Sequence, residues 1–332
     1  MHTVERVPTD VLTSPLLTRP GAVAADGPDA GVAAHYGDPH GEQRALATGQ
    51  AAVDLSHRGV VRVDGADRLS WLHSLTTQHL TDLAPRTPVQ SLVLSPHGHI
   101  EHDLHLVDDG QTAWITVEPG TAPDLVAFLD KMRFMLRVEV ADVTADWAAV
   151  WVPAGGADVP GKEHAWHHAR TAEELGEYAG REVLVPRARL ADALGPVAGV
   201  WAHEALRIAA YVPRHGFETD HRTIPHELGL LAPAVHLNKG CYRGQETVAR
   251  VHNLGRPPRR MVFLHLDGST LDLPEHGAEI TLDGRAIGYV GSAARHYELG
   301  PIALGIIKRN TAHDVPLLAG GVPAAAEVVV EA

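Results

Sequence analysis

The chain has 332 residues, of which 45% are hydrophobic and 21% charged, with a formal net charge of −13. That length is enough for two or three domains with sizeable cores. The acidic balance argues against general nucleic-acid binding, and no apolar run approaches the roughly 20 residues of a membrane span. A single cysteine, Cys241, excludes an intramolecular disulfide framework; with no basic–apolar leader at Met1, a reducing, cytoplasmic setting is expected.

Residues 1–38 are rich in Pro, Gly, Ala and Asp without apolar periodicity, which predicts an irregular N-terminal arm. Regular structure is expected from about Gly41. Val60, Val61 and Val63 suggest a strand, and Asp67 is suited to cap a helix carrying Leu69, Leu72 and Leu75. Val89–Leu94 and Ile100–Val107 flank the turn Ser95-Pro96-His97-Gly98 and read as a β-hairpin. Ala113–Val117 is a further strand; Leu125, Phe128, Leu129 and Met132 form one helix face; Leu136–Val140 and Trp147–Val152 return to strand. Beyond a Pro/Gly-rich link at Pro153–Gly161 come a strand at Glu182–Val185 and helices at Arg187–Leu194 and about Ala202–Ala210. Strands and helices mixed in this way, with hairpin links, indicate an α+β fold over residues 39–258. Gly255-Arg256-Pro257-Pro258 marks a boundary. Short strands after it predict a small all-β domain at 259–332, a barrel or jelly roll.

Residues 239–246 read Lys-Gly-Cys-Tyr-Arg-Gly-Gln-Glu. A thiol between Lys239 and Arg243 has cations to favour thiolate, and the glycines permit close approach of a ligand; the competing reading of a lone cysteine is a small buried hydrophobe. Gln245 and Glu246 offer an amide and a carboxylate suited to the donor–acceptor edge of a pterin or purine, and Glu246 equally suits a helix first turn. Tyr242 either stacks on a ring or packs. From Lys239 to Arg260 there are six cations and one anion, +5 locally against −18 for the rest, which points to an anionic ligand or to a solvated basic loop. Histidines crowd 97–105 and 164–168, but no cysteine or acidic pattern completes a metal site, and none is expected.

The octapeptide resembles the signature of the YgfZ family of folate-binding iron–sulfur cluster assembly proteins, which is similar in fold to the glycine-cleavage T protein, an aminomethyltransferase. The resemblance implies a three-domain T-protein-like arrangement, with two interleaved subdomains ahead of the C-terminal barrel. It also implies tetrahydrofolate or a derivative as ligand, bound through Lys239, Tyr242, Arg243, Gln245 and Glu246, and iron–sulfur client or assembly proteins as partners, with Cys241 as the working thiol. Glu204-Ala205-Leu206-Arg207, His215-Gly216-Phe217-Glu218 and Pro225-His226-Glu227 resemble the superfamily segments that wall the folate pocket, which brings in Arg207 and Glu227; an ion pair from Arg207 to Glu218 or Glu227 is the alternative. His99-Ile100-Glu101-His102-Asp103-Leu104 resembles the superfamily hairpin in which a carboxylate assists chemistry at the folate. Here His102 stands at the first acidic position and Asp103 at the second. With one acid replaced, and no Tyr-Thr-Gly-Glu in Leu175–Glu182, glycine-cleavage activity is not expected. A one-carbon transferase using Asp103, and a non-catalytic folate sensor or partner-binding protein, stay open.

Overall fold

The structure is a computed structural model that describes residues 12–161, 164–269, 272–312 and 314–330. The chain opens with a two-stranded pair, β1 (Val23–Ala24) and β2 (Ala33–His35), and then α1 (Pro39–Ala47). There follow β3 (Ala52–Asp54), β4 (Gly59–Asp64), α2 (Arg68–Leu75), β5 (Pro88–Leu94), β6 (Ile100–Asp108), β7 (Thr112–Val117), α3 (Ala122–Lys131) and β8 (Glu139–Asp142). Next are β9 (Trp147–Pro153), β10 (Ala165–Trp166), α4 (Ala172–Leu175), β11 (Gly180–Pro186), α5 (Leu190–Ala193), β12 (Val197–Ala198), α6 (Val200–Ala209), α7 (Leu231–Ala234) and α8 (Gln245–Leu254). The last part is β13 (Arg259–Leu266), β14 (Glu279–Leu282), β15 (Arg285–His296), β16 (Gly300–Lys308), β17 (Leu317–Ala319) and β18 (Val322–Val328).

Two five-stranded sheets and a closed barrel result. One sheet runs β5-β6-β7-β4-β8, the other β10-β11-β9-β3-β12, and the barrel β13-β16-β15-β14-β17-β18. The chain lays down β3, leaves to build the whole of the first sheet, and returns at β9 to complete the second. Leu72, Leu75, Leu125 and Leu129 on α2 and α3 cover the first sheet through Val61, Val63, Leu104 and Ile115. α1 and α6 pack on the second through Leu46, Val53, Trp151 and Leu206. Ala205 and Ile208 of α6 also meet Met261, Phe263 and Ile306, which ties the body to the barrel. The α+β class and the C-terminal barrel are therefore as expected. Among the described residues no helix is long and apolar enough to cross a membrane.

Several local expectations need correction. Residues 12–38 hold little regular structure but are not a loose arm: Leu16, Val32, Ala33 and Ala34 are buried, Ser14 donates to the Asp54 carboxylate, and Arg19 donates to the carbonyls of Leu194 and Gly195. Single apolar anchors and side chain–backbone bonds hold this segment, and neither leaves a periodic pattern. Residues 1–11 and 331–332 of the expected terminal segments lie outside the described residues. Asp67 sits at the start of α2 without capping it, because its carboxylate is held by the Arg137 backbone N–H and guanidinium. The strand expected at Leu136–Val140 starts only at Glu139. Before it, Phe134 has φ +48° and Phe134, Met135 and Leu136 are exposed, so the apolar run forms a loop tip. The helix expected at Arg187–Leu194 is a 3₁₀ turn followed by the short α5.

Candidate functional site

A cavity of about 250 Å³ lies where the first sheet, the segment between β10 and β11, α6 and the barrel meet. β5 and β6 supply Gln90, Asp103 and His105; β7 supplies Thr116, and Glu118 follows it; α6 and the segment after it supply Arg207, Tyr211, Arg214 and His215. Side chains alternate across a strand, so β6 turns Asp103 and His105 to the cavity, while His102 is not among its lining residues. Of the two hairpin positions, it is therefore Asp103 that faces the cavity. The Asp103 carboxylate accepts from Gln90 Nε2 at 3.0 and 2.9 Å, one bond to each oxygen, and keeps lone pairs for a ligand N–H. His105 stacks flat on Trp166, with ring centroids 3.5 Å apart.

A buried ion network forms part of this wall and continues behind it. Arg58 pairs with Glu182 at 2.7 Å; Arg214 binds Asp29 at 2.7 Å and Glu118 at 2.8 Å; Arg207 binds Glu204 at 2.7 Å and Glu218 at 3.4 Å. Arg207 also donates to the Ser292 hydroxyl and the Val212 carbonyl. Burial alone would raise Glu182, but Arg58 and His105 hold it far below the usual carboxylate range. Burial likewise opposes Asp29 and Glu204, and the arginines beside them keep both ionised. For Glu218 burial wins over Arg207 and its pKa is raised. The buried His168 and His203 and the half-buried His215 are pulled below 6.5, chiefly by desolvation, as is the half-buried His102, which falls to about 4.

Arg207 thus reaches the cavity and is also ion-paired to Glu218. Glu227 is fully buried and does not line the cavity; its carboxylate takes Arg259, which also binds Asp220.

The octapeptide is elsewhere: none of Lys239, Cys241, Tyr242, Arg243, Gln245 and Glu246 lines the cavity. Lys239 is buried, and its ammonium donates to three backbone carbonyls, those of His73, Thr76 and Gln78, which clamp the end of α2. Burial draws its pKa down to about 8. Tyr242 is buried against the α6–barrel core. Arg243 pairs with Glu101 at 2.8 Å and stands over the Phe128 ring. Gln245 opens α8, and Glu246 is an exposed first-turn carboxylate. Cys241 is exposed, as a reagent thiol requires, but the two flanking cations are turned to other partners. The +5 segment is accordingly not a continuous basic patch: Lys239, Arg243 and Arg259 are spent on internal partners, and Arg260 donates to the Thr311 carbonyl.

Gly244, at φ +81°, is where this loop touches the β5–β6 hairpin. A Cβ there would lie 2.6 Å from the Ser95 carbonyl oxygen, and one on Gly98, at φ +79°, would lie 2.7 Å from Thr247 Cβ. Both positions require glycine, for conformation and for space.

Sequence reasoning missed Arg58, Asp29, Glu118, Arg170, Glu182 and Arg214. Arg214 directly precedes the His215-Gly216-Phe217-Glu218 stretch, and that adjacency was its one available signal. Among the described residues no group of three or more His, Cys, Asp or Glu side chains is arranged to hold a metal ion.

Comparison with known proteins adds four findings. Residues 31–155 match the family model described as the GCVT N-terminal domain. A chloroplastic protein of Arabidopsis thaliana named as a transferase is 25% identical over 296 residues, covering 81% of this chain and 67% of that protein. An iron–sulfur cluster assembly factor IBA57 homologue, mitochondrial, of Mycosarcoma maydis is 26% identical over 232 residues, covering 63% of this chain and 56% of that protein. The crystal structure of glycine cleavage system aminomethyltransferase T from Bartonella henselae superposes with a TM-score of 0.75 at 18% identity, over 96% of this chain and 97% of that one. The chain has the fold of the glycine cleavage T protein.

Proposed function

We propose that this protein binds tetrahydrofolate or a derivative in the central cavity and assists assembly or repair of iron–sulfur enzymes in the cytoplasm, in the manner of the YgfZ type. The observation that carries the reading is the separation of the two groups: Asp103 lines the cavity, whereas Cys241 is exposed on a loop outside its lining. A thiol so presented is available to a partner protein rather than to the cavity's ligand. The similarity to an iron–sulfur cluster assembly factor supports the same role. One cysteine cannot supply the four ligands that usually hold a cluster, so a cluster would be shared with, or handed between, partners.

The cavity's donor set fits a reduced folate. Asp103, steadied by Gln90, is placed to accept from ring N–H groups, and His105, which lines the cavity and is backed by Trp166, offers a flat ring beside it. The test is calorimetric titration with tetrahydrofolate, with a nicotinamide dinucleotide as control, combined with the activity of iron–sulfur enzymes in cells carrying Cys241→Ser. Saturable binding of the folate alone, and loss of client activity in the variant, are expected. No binding at millimolar tetrahydrofolate, or full client activity with the serine, would overturn the corresponding half.

The second reading is a one-carbon transferase, which the cavity-facing carboxylate of Asp103 favours. Turnover of an amine with a methylene-donor folate, abolished by Asp103→Asn, would establish it in place of the first.

A further inference from the structure

Four arginines line the cavity: Arg58, Arg170, Arg207 and Arg214. Three of them are neutralised inside the protein by Glu182, Glu204, Glu218, Asp29 and Glu118. Arg170 is not. Its Nη1 donates to the Ala210 carbonyl at 2.8 Å and its Nη2 to the Glu174 carbonyl at 2.7 Å. Among the described residues it forms no ion pair, because the Glu174 carboxylate is turned to the Thr171 backbone and hydroxyl.

We infer that Arg170 is the anchor for a carboxylate of the cavity's ligand. A guanidinium has five N–H donors, of which two are engaged here, and the planar fork matches a carboxylate in two parallel bonds. The carbonyls of Ala210, at the end of α6, and Glu174 fix its orientation without cancelling its charge. Burial lowers its pKa against the smaller opposing effects of Glu174 and Tyr211, so an anion beside it is stabilising. Carbonyl bonding alone assigns nothing: Arg187 donates to the carbonyls of Thr144, Ser56 and Trp147 in the same way and does not line the cavity. The combination of an unpaired charge and a cavity wall is what distinguishes Arg170.

This inference rests on the folate reading and deepens it: the head of the ligand meets Asp103, and a carboxylate of its glutamate tail meets Arg170. The experiment compares tetrahydrofolate, 6-methyltetrahydropterin, which has no tail, and free glutamate, each titrated into the wild-type chain, Arg170→Gln and Arg170→Lys. Losing a charge-assisted pair predicts that Arg170→Gln weakens tetrahydrofolate by about tenfold to a hundredfold, with a smaller loss in Arg170→Lys and no change for the pterin. Wild-type affinity for tetrahydrofolate also falls more steeply with salt than affinity for the pterin, a readout that survives if a variant fails to fold. Equal losses for both ligands, or an unchanged affinity for tetrahydrofolate, would make Arg170 a fastener of the segment to α6 and overturn the inference alone. Tight binding of free glutamate without the pterin would identify an amino-acid site and sink the folate reading. Failure of the wild type to bind either pteridine removes that reading and this inference with it.

Discussion

Arg207 and Lys239 came from two segments in which a cation was expected to meet a ligand, and both are almost wholly buried. Arg207 keeps company with carboxylates on a cavity wall; Lys239 is turned to the backbone of a distant helix end. A local excess of positive charge therefore reports how many cations a run holds, not where they point. An arginine with two carboxylate partners can share a wall with a ligand. A lysine whose three protons go to three carbonyls is committed to holding the chain.

Removing Arg207 should give the largest effect. Arg207→Ala leaves the fully buried Glu218 without its cation and the half-buried Glu204 with one fewer, which costs about 3–5 kcal/mol; chemical denaturation should show the drop or a failure to fold. A midpoint close to wild type would mean that water or a neighbouring arginine takes its place.

The pH profile comes next. His102 and His226 are held neutral down to about 4, mainly by burial, and His168, His203 and His215 are lowered in the same direction. Their unfolded-state value is 6.5. As pH falls through 6.5 the unfolded chain takes up these protons first, so stability is full above that value and declines from 6.5 towards 4. The ion-paired carboxylates, whose values are lowered, keep their contribution until more acidic conditions. Denaturation midpoints measured across this window should fall, and the slope should shrink in His102→Gln/His226→Gln. A flat profile would contradict the buried, neutral state of these rings.

Lys239→Met should cost about 1–3 kcal/mol through carbonyls left without a donor, whereas Arg243→Ala, four residues away and partly exposed, should stay within about 1 kcal/mol. Equal costs, read by the same denaturation experiment, would show that the loop is held by its surface pair and not by its clamp.

Much of the architecture was legible because strands β4 to β7 and the barrel strands carry runs that only a pleated or half-buried surface explains. Asp103 was legible as a hairpin acid, and Arg207 as a helix residue. The wall of the cavity was not, because Arg58, Glu118 and Arg214, and Glu182 behind them, are scattered along the chain and meet only after both sheets and α6 have packed. The clamp by Lys239 was invisible for a different reason. Its partners are backbone carbonyls more than 160 positions away, and every residue has a carbonyl, so no side-chain pattern marks the three that are used. Asp67 shows the same limit on a smaller scale: its position read correctly as a helix start, but Arg137 took the carboxylate that a cap would have needed.

The contact between Gly244 and the Ser95–Gly98 turn joins the loop that carries the thiol to the hairpin that carries Asp103. Thermodynamic linkage then sets a condition on both ends. If partner binding at the Cys241 loop changes cavity affinity by some factor, an occupied cavity must change the affinity for that partner by the same factor. Two glycines that admit no side chain are the joint through which such a message would pass. Its size is measurable from either direction, by titrating ligand with the partner bound or by titrating partner with the cavity full.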